Sequence, residues 1–274
     1  LQPIKPMKKL LILATLLCLT VSAFAQFEGE IQMKIMAADG GGTMTMFISP
    51  NAIKTEMNLS AEMMKMQMAS LMKMDNPNII YIINDKSKSY SEIDLKEMEK
   101  MAQGMMPTKA KYQVQKLGKE KILGYDCDHI LVSDTDSEME LWVTKDLLDY
   151  ATFKKFNQSP QADGLEKAMK EAGVLGMPLK QIANKGTAQE SKMEVVKINK
   201  AKLPPSTFEI PKGYKKTEGG LMGAGMDMMP DEAKAQLRES LKNMSPAEKK
   251  QMKESLKNMP PEQRNMMEQI LNEK

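Results

Sequence analysis

Two places in the chain gather side chains whose types and spacing invite chemistry. The first is Cys127 with His129, the only histidine in the chain. Residues i and i+2 of a strand share a face. A thiolate and an imidazole placed this way could act as nucleophile and base, or as two metal ligands. Strand rise alone separates them by about 6–7 Å, beyond a hydrogen bond. A zinc site also wants three or four ligands. Tyr125 and Leu131 fall on the same face, which suits a packed interior position equally well. The second place is methionine. The chain carries 29, and Met57, Met63, Met64, Met66, Met68, Met72 and Met74 fall in one short stretch. Thioethers are soft ligands that suit Cu(I), and Met63, Met66 and Met68 have the spacing to share such an ion. Sulfoxide formation on methionine is reversible, so scavenging of oxidants is a related use. The apolar alternative is that flexible, polarizable methionine lines an adaptable core or groove. Aromatics are only 5% of the chain, so another residue must fill the core. In that reading Met63, Met64, Met66, Met68 and Met72 line a site for an apolar ligand.

Other candidates carry less. Asp126 and Asp128 share the face opposite Cys127 and could hold a cation, but two carboxylates alone are few for calcium. Asp134-Thr135-Asp136-Ser137-Glu138 has a calcium-loop composition without the required glycine and ligand spacing. There is no phosphate-cradling glycine loop, no Ser-His-Asp set in an elbow and no histidine-rich zinc motif. The expectation is a protein without enzymatic activity and without a cofactor.

The elements that must position these residues are mostly strands. Phe27, Ile31, Met33 and Ile35 alternate with Glu28, Glu30, Gln32 and Lys34; Met44, Met46 and Ile48 continue the period, and Ile53, Thr55 and Met57 resume it. Asp39-Gly40-Gly41-Gly42 and Pro50-Asn51 break the runs as turns, the pattern of an antiparallel meander. Residues 60–74 fit helix or strand. Ile79–Ile83 is predicted as a buried strand, Asn84-Asp85-Lys86 as a hairpin turn and Ser89–Ile93 as the returning strand. A helix is predicted over 94–104, strands over Tyr112–Leu117, Ile122–Ser133 and Glu138–Thr144, and a broken helical stretch over 145–172. A further strand or hairpin is predicted over 186–198, with Val195, Val196 and Ile198 apolar enough to be buried. Pro204-Pro205 and Pro211 close this body.

The N-terminus reads as an export signal. Met7-Lys8-Lys9 precedes the apolar run Leu10–Val21, and Ala23-Phe24-Ala25 supplies small residues before Gln26. The run is short of the roughly 20 residues that span a bilayer. Cys18 sits in the middle of the run, preceded by Leu16 and Leu17, unlike a lipidation site. Residues 1–6 are set aside from the fold. Lys5, Lys8 and Lys9 account for the whole net charge of +3. The exported part, 26–274, is therefore neutral, with no overall electrostatic attraction to nucleic acid or an anionic membrane. Cys127 is its sole cysteine, so it holds no internal disulfide. No further apolar segment is long enough to span a membrane.

Beyond the body, 216–229 reads as a Gly/Met linker. The remainder, 230–274, repeats: Pro230-Asp231-Glu232, Pro246-Ala247-Glu248 and Pro261-Glu262-Gln263 open three units, and Ser-Leu-Lys-Asn-Met recurs at 240–244 and 255–259. Ser245 with Pro246 and Glu248 has the make-up of an N-cap, an N1 proline and a capping-box acid. Each unit is a short helix with a narrow apolar stripe that wants a partner surface.

Three segments carry a family resemblance: Gly124-Tyr125-Asp126-Cys127, Trp142-Val143-Thr144-Lys145-Asp146-Leu147 and Phe208-Glu209-Ile210-Pro211-Lys212-Gly213-Tyr214. Over roughly 27–215 the chain resembles the exported domain-of-unknown-function family 4412 of Gram-negative bacteria. The resemblance implies an α+β fold similar in layout to periplasmic lipoprotein carriers: a curled, half-barrel-like antiparallel sheet with helices on its concave side. It implies no catalytic residues. The combined expectation is four parts (leader 1–25, body 26–215, linker 216–229, helical tail 230–274) in a periplasmic or outer-membrane-associated binding protein. Its partner would be an apolar small molecule, a lipid or an acylated or apolar protein segment, and not nucleic acid. The alternatives are a stress or Cu(I)-handling protein and a Cys127/His129 enzyme.

Overall fold

A computed structural model describes residues 27–61, 64–98, 111–135, 137–156, 162–217, 223–225 and 231–256. Among them, twelve strands form one open sheet: β1 (Gly29–Ala37), β2 (Gly40–Ile48), β3 (Ala52–Ala61), β4 (Met64–Lys73), β5 (Ile79–Asn84), β6 (Ser89–Asp94), β7 (Gln113–Ile122), β8 (Tyr125–Ser133), β9 (Glu138–Thr144), β10 (Met177–Ala183), β11 (Ser191–Lys200) and β12 (Lys215–Thr217). Their order is β12-β6-β5-β4-β3-β2-β1-β11-β10-β9-β8-β7. Every pairing is antiparallel except β12 on β6. The helices are short: α1 (Tyr150–Phe156), α2 (Ala162–Glu171), α3 (Asp231–Asn243) and α4 (Pro246–Leu256).

Local chemistry explains the hairpins. Between β2 and β3, the Ser49 hydroxyl donates to the Ala52 carbonyl at 3.0 Å and accepts from the Ala52 N–H at 3.1 Å. Between β5 and β6, Asn84 Oδ1 accepts from the N–H groups of Lys86 and Ser87, the turn-forming use of an Asx side chain. The glycines after Asp39 behave differently from the expected turn: they open β2. A Cβ on Gly42 would lie 2.0 Å from the Asn58 carbonyl oxygen, so the close approach of β3 demands glycine there. Residues 64–73 resolve as strand.

The apolar core lies in three clusters. One face of β1–β3 buries Ile31, Met33, Met46, Ile48 and Ile53 together with Leu147 and Leu148 from the segment after β9; Phe153 of α1 packs against them. On the opposite face of β3–β5, Ala52, Ala69, Leu71 and Ile83 are covered by Phe208, with Leu203, Ile210 and Tyr214 packed around. Under α2, Ile130, Val132, Leu141 and Val143 meet Met169 and Leu165. Each such buried aliphatic side chain contributes about 1.5–3 kcal/mol.

Four features depart from the sequence pattern. β7 runs through Gly118 to Ile122, with a bulge between Lys116 and Gly118, and the turn is Leu123-Gly124. β10 is a strand that the periodicity misses. Val195 is buried, but Val196 is exposed: it is the extra residue of a bulge opposite Gln32 and Met33. Of the predicted helix 94–104, residues 95–98 form one turn, and 99–104 lie outside the described residues.

Candidate functional site

Cross-strand register gathers the methionines more tightly than sequence spacing does. Met33 lies opposite Met44, Met44 opposite Met57, and Met57 opposite Met68. Four thioether side chains therefore form a file across β1, β2, β3 and β4, on one face, with neighbouring strands about 4.8 Å apart. Met33 is 2% exposed within the core, whereas Met44, Met57 and Met68 are half-buried. Met66, opposite Leu59, and the buried Met72, opposite Ile53, flank the file on the same face. Met64 lies opposite Ala61 in β4, and Met63 lies outside the described residues. Along β4 itself, Met66 and Met68 are two residues apart, about 6–7 Å by rise. The near neighbour of Met68 is Met57 across the ladder.

The Cys127/His129 pair does not meet. Cys127 is 1% exposed, and its thiol donates to the Tyr125 carbonyl at 3.6 Å. Burial pushes the thiol up from its ordinary range, and the nearby carboxylates of Glu120, Asp126 and Asp128 push it further. His129 Nε2 instead pairs with Glu140 Oε2 at 2.9 Å, and Lys185 Nζ donates to Glu140 Oε1 at 2.7 Å. The hydrogen bond from Lys185, and after it that from His129, holds the Glu140 carboxyl below the usual range. The His129 ring stacks on Trp142 with centroids 4.0 Å apart and planes 10° from parallel. Trp142 Nε1 donates to Glu120 Oε2 at 2.5 Å, and Lys180 Nζ stands 4.3 Å from the Trp142 ring centroid. Sequence reading missed this network because Glu120, Glu140, Lys180 and Lys185 look like ordinary surface charge until the register of β7–β10 is known.

Of the other carboxylate candidates, Asp126, Asp128 and Asp134 have partners, and Asp136 lies outside the described residues. Asp126 pairs with Lys121 at 3.3 Å and Asp128 with Lys119 at 3.7 Å, directly across the β7–β8 ladder. Asp134 Oδ1 accepts from the Ser137 N–H and hydroxyl, closing a turn. Among the described residues no three His, Cys, Asp or Glu side chains gather as a metal site. A separate cleft of about 710 Å³ lies beside the β2–β3 turn, where Lys73 and Lys202 stand among Glu28, Asp75 and Glu209 over Phe208. No described helix is long and apolar enough to cross a membrane.

Several solved structures have a similar chain course. One is an uncharacterized conserved protein from Thermus thermophilus, with 7% identity and a TM-score of 0.40, covering 69% of this chain and 90% of that one. Another is the MucA/MucB complex of Pseudomonas aeruginosa, with 10% identity and a TM-score of 0.36; the match covers 67% of this chain and 56% of that chain. The lipoprotein LppX of Mycobacterium tuberculosis matches at 9% identity and a TM-score of 0.32, over 64% of this chain and 88% of that one. No curated protein matches the sequence. The decisive match covers residues 27–214 and is to the domain of unknown function DUF4412: the chain belongs to that family.

Proposed function

We propose that this chain is an exported, non-enzymatic binding protein whose methionine-bearing sheet face holds an apolar ligand, a lipid chain or an acylated or apolar protein segment. The observation that carries the reading is the file Met33–Met44–Met57–Met68, sealed at its Met33 end and half-buried along the rest. Methionine adapts its shape to an irregular apolar guest at little cost, and half-buried apolar surface of this kind gains by being covered. In this reading the sheet curls as a half-barrel with its helices across the concave side, the leader 1–25 is removed, and 230–274 is a helical tail beyond the linker 216–229, whose first two residues, Lys216 and Thr217, belong to β12. The site residues are Met66, Met68 and Met72, joined by Met33, Met44 and Met57; Met64 belongs to the same strand, and Met63 precedes it in the chain. The compartment is the periplasm, or an association with the outer membrane, in keeping with the reading of residues 7–25 as an export signal.

The same file favours one second reading. Directly opposed thioethers are spaced to share a soft monovalent ion, so Met44, Met57 and Met68 are the ligands a Cu(I) site would recruit. Native mass spectrometry of residues 26–274, purified without detergent and then incubated with palmitate or with Cu(I) under reducing conditions, separates the two. Retained lipid or palmitate that is lost in Met57→Lys supports the apolar-ligand reading. Copper uptake without palmitate uptake replaces it with the second. A chain that takes neither overturns both.

A further inference from the structure

Three large apolar side chains stand exposed among the described residues, and each sits at a break in the ladder. Leu117 is 43% exposed in the bulge of β7; Leu123, 49% exposed, forms the tip of the β7–β8 hairpin; Val196, 49% exposed, is the unpaired residue of the β11 bulge. Leu123 has φ 49° beside Gly124 at φ 85°. Asn or Gly fills such a left-handed turn position with less strain than leucine does. An exposed leucine held against its local preference points to a use for it. Leu123 and Val196 come together: with Tyr125, Ile198, Lys197 and Lys200 they line one shallow groove of about 510 Å³. Lys200 Nζ stands 5.4 Å from the Tyr125 ring, and neither Lys197 nor Lys200 has a carboxylate partner among the described residues.

We propose that this hairpin tip and the β11 bulge form a docking surface for an anionic lipid bilayer. Isolated apolar side chains projecting beside unpaired lysines match the two layers of such a surface. The leucine and valine enter the acyl boundary, and the ammonium groups stay among the headgroup phosphates. A bilayer accepts projecting side chains without the shape complementarity that a protein partner demands. The exported part is neutral overall, so the attraction is local: it lies in Lys197 and Lys200, not in the net charge. None of the file's methionines lines this groove, although its Tyr125 and Ile198 pack against the same core cluster as Met33 and Met44, and the flotation test reads the exposed Leu123 and the lysines whether or not the file takes a lipid.

The test is flotation of the full exported chain with vesicles of phosphatidylglycerol and phosphatidylcholine in equal parts, against vesicles of phosphatidylcholine alone. Binding is expected only to the anionic vesicles, weakening as salt is raised. Leu123→Asn suits the left-handed turn, so it leaves the fold intact, which a melting curve checks; it is expected to weaken partitioning about tenfold. The double change Lys197→Gln and Lys200→Gln is expected to remove the salt dependence. No flotation with anionic vesicles at low salt overturns the proposal. So does equal flotation of Leu123→Asn and the unchanged chain. Capture of an acidic amphipathic peptide without vesicle binding overturns it in favour of a protein partner.

Discussion

The sheet is held by different means in its two halves. Across β1–β4 the cohesion is apolar: Met33, Met44, Met57 and Met68 line up as flexible thioether side chains with no directional bond between them. Across β7–β10 the face opposite the apolar contacts under α2 carries a network of hydrogen bonds and one ring stack: Glu120 to Trp142, Trp142 stacked on His129, His129 to Glu140 and Glu140 to Lys185. A methionine surface can re-pack around a guest, because dispersion contacts are lost and regained one by one. A hydrogen-bonded network keeps a single geometry and answers to pH. The contrast sets an apolar methionine file on one part of the sheet against a polar, directional network on the other.

Truncation within the file should break this comparison most visibly. Met33→Ala removes a buried side chain from the core and is expected to cost about 2–4 kcal/mol in urea unfolding. Met68→Ala, at the half-buried end, should cost well under half of that and weaken ligand retention instead. Equal destabilisation by the two would mean that the file is plain core along its whole length. In the other half, Glu140→Gln is expected to cost about 1 kcal/mol at neutral pH, a figure reduced by the water beside the pair. The folded-state pKa of Glu140 lies below the usual 4.5, so its stabilisation is present above that value and is lost as pH falls through the lower, folded value. The difference between unchanged chain and Glu140→Gln should therefore shrink below pH 4.5; a difference that persists there would place the effect in packing. The smallest effect is Lys121→Ala, which opens an exposed ion pair with Asp126 and should change stability by no more than about 0.5 kcal/mol.

What could be read from the sequence divides by range. The β1–β3 meander and the β5–β6 hairpin were legible because their turns are made by local residues, Asp39, Ser49-Pro50-Asn51 and Asn84, and their alternation is unbroken. Bulges defeated the same reasoning elsewhere. Gly118 looked like a strand end but lies at a bulge within β7; no strand was read over 177–183, where β10 accommodates Pro178 beside a bulge. Val196 was expected to follow Val195 inside, but it is the residue that the β11 bulge leaves unpaired. For the proposed site, spacing alone singled out Met66, Met68 and Met72. Met57 stood in the same run of methionines, but Met33 and Met44 were visible only as alternating positions, since the alignment of the file depends on where each turn falls. The burial of Cys127 and the attachment of His129 to Glu140 depended on β9 and β10, which spacing within β8 could not reveal.

The single parallel pairing has a consequence for how the molecule comes to be. Ser91 and Thr217, whose hydroxyls meet at 2.6 Å, are 126 positions apart in the chain. The segment from Leu203 to Thr217 both roofs Leu71 and Ile83 and guards the free margin of β6. Contacts so distant in sequence form late in folding, after loop closure has been met. Until that strap arrives, β6 presents open backbone groups next to bare aliphatic side chains, which is the make-up of a self-associating edge. The strap that ends in β12, just past the residues matched to DUF4412, thus keeps this margin of the sheet from joining that of another half-folded copy; β7 forms the other margin.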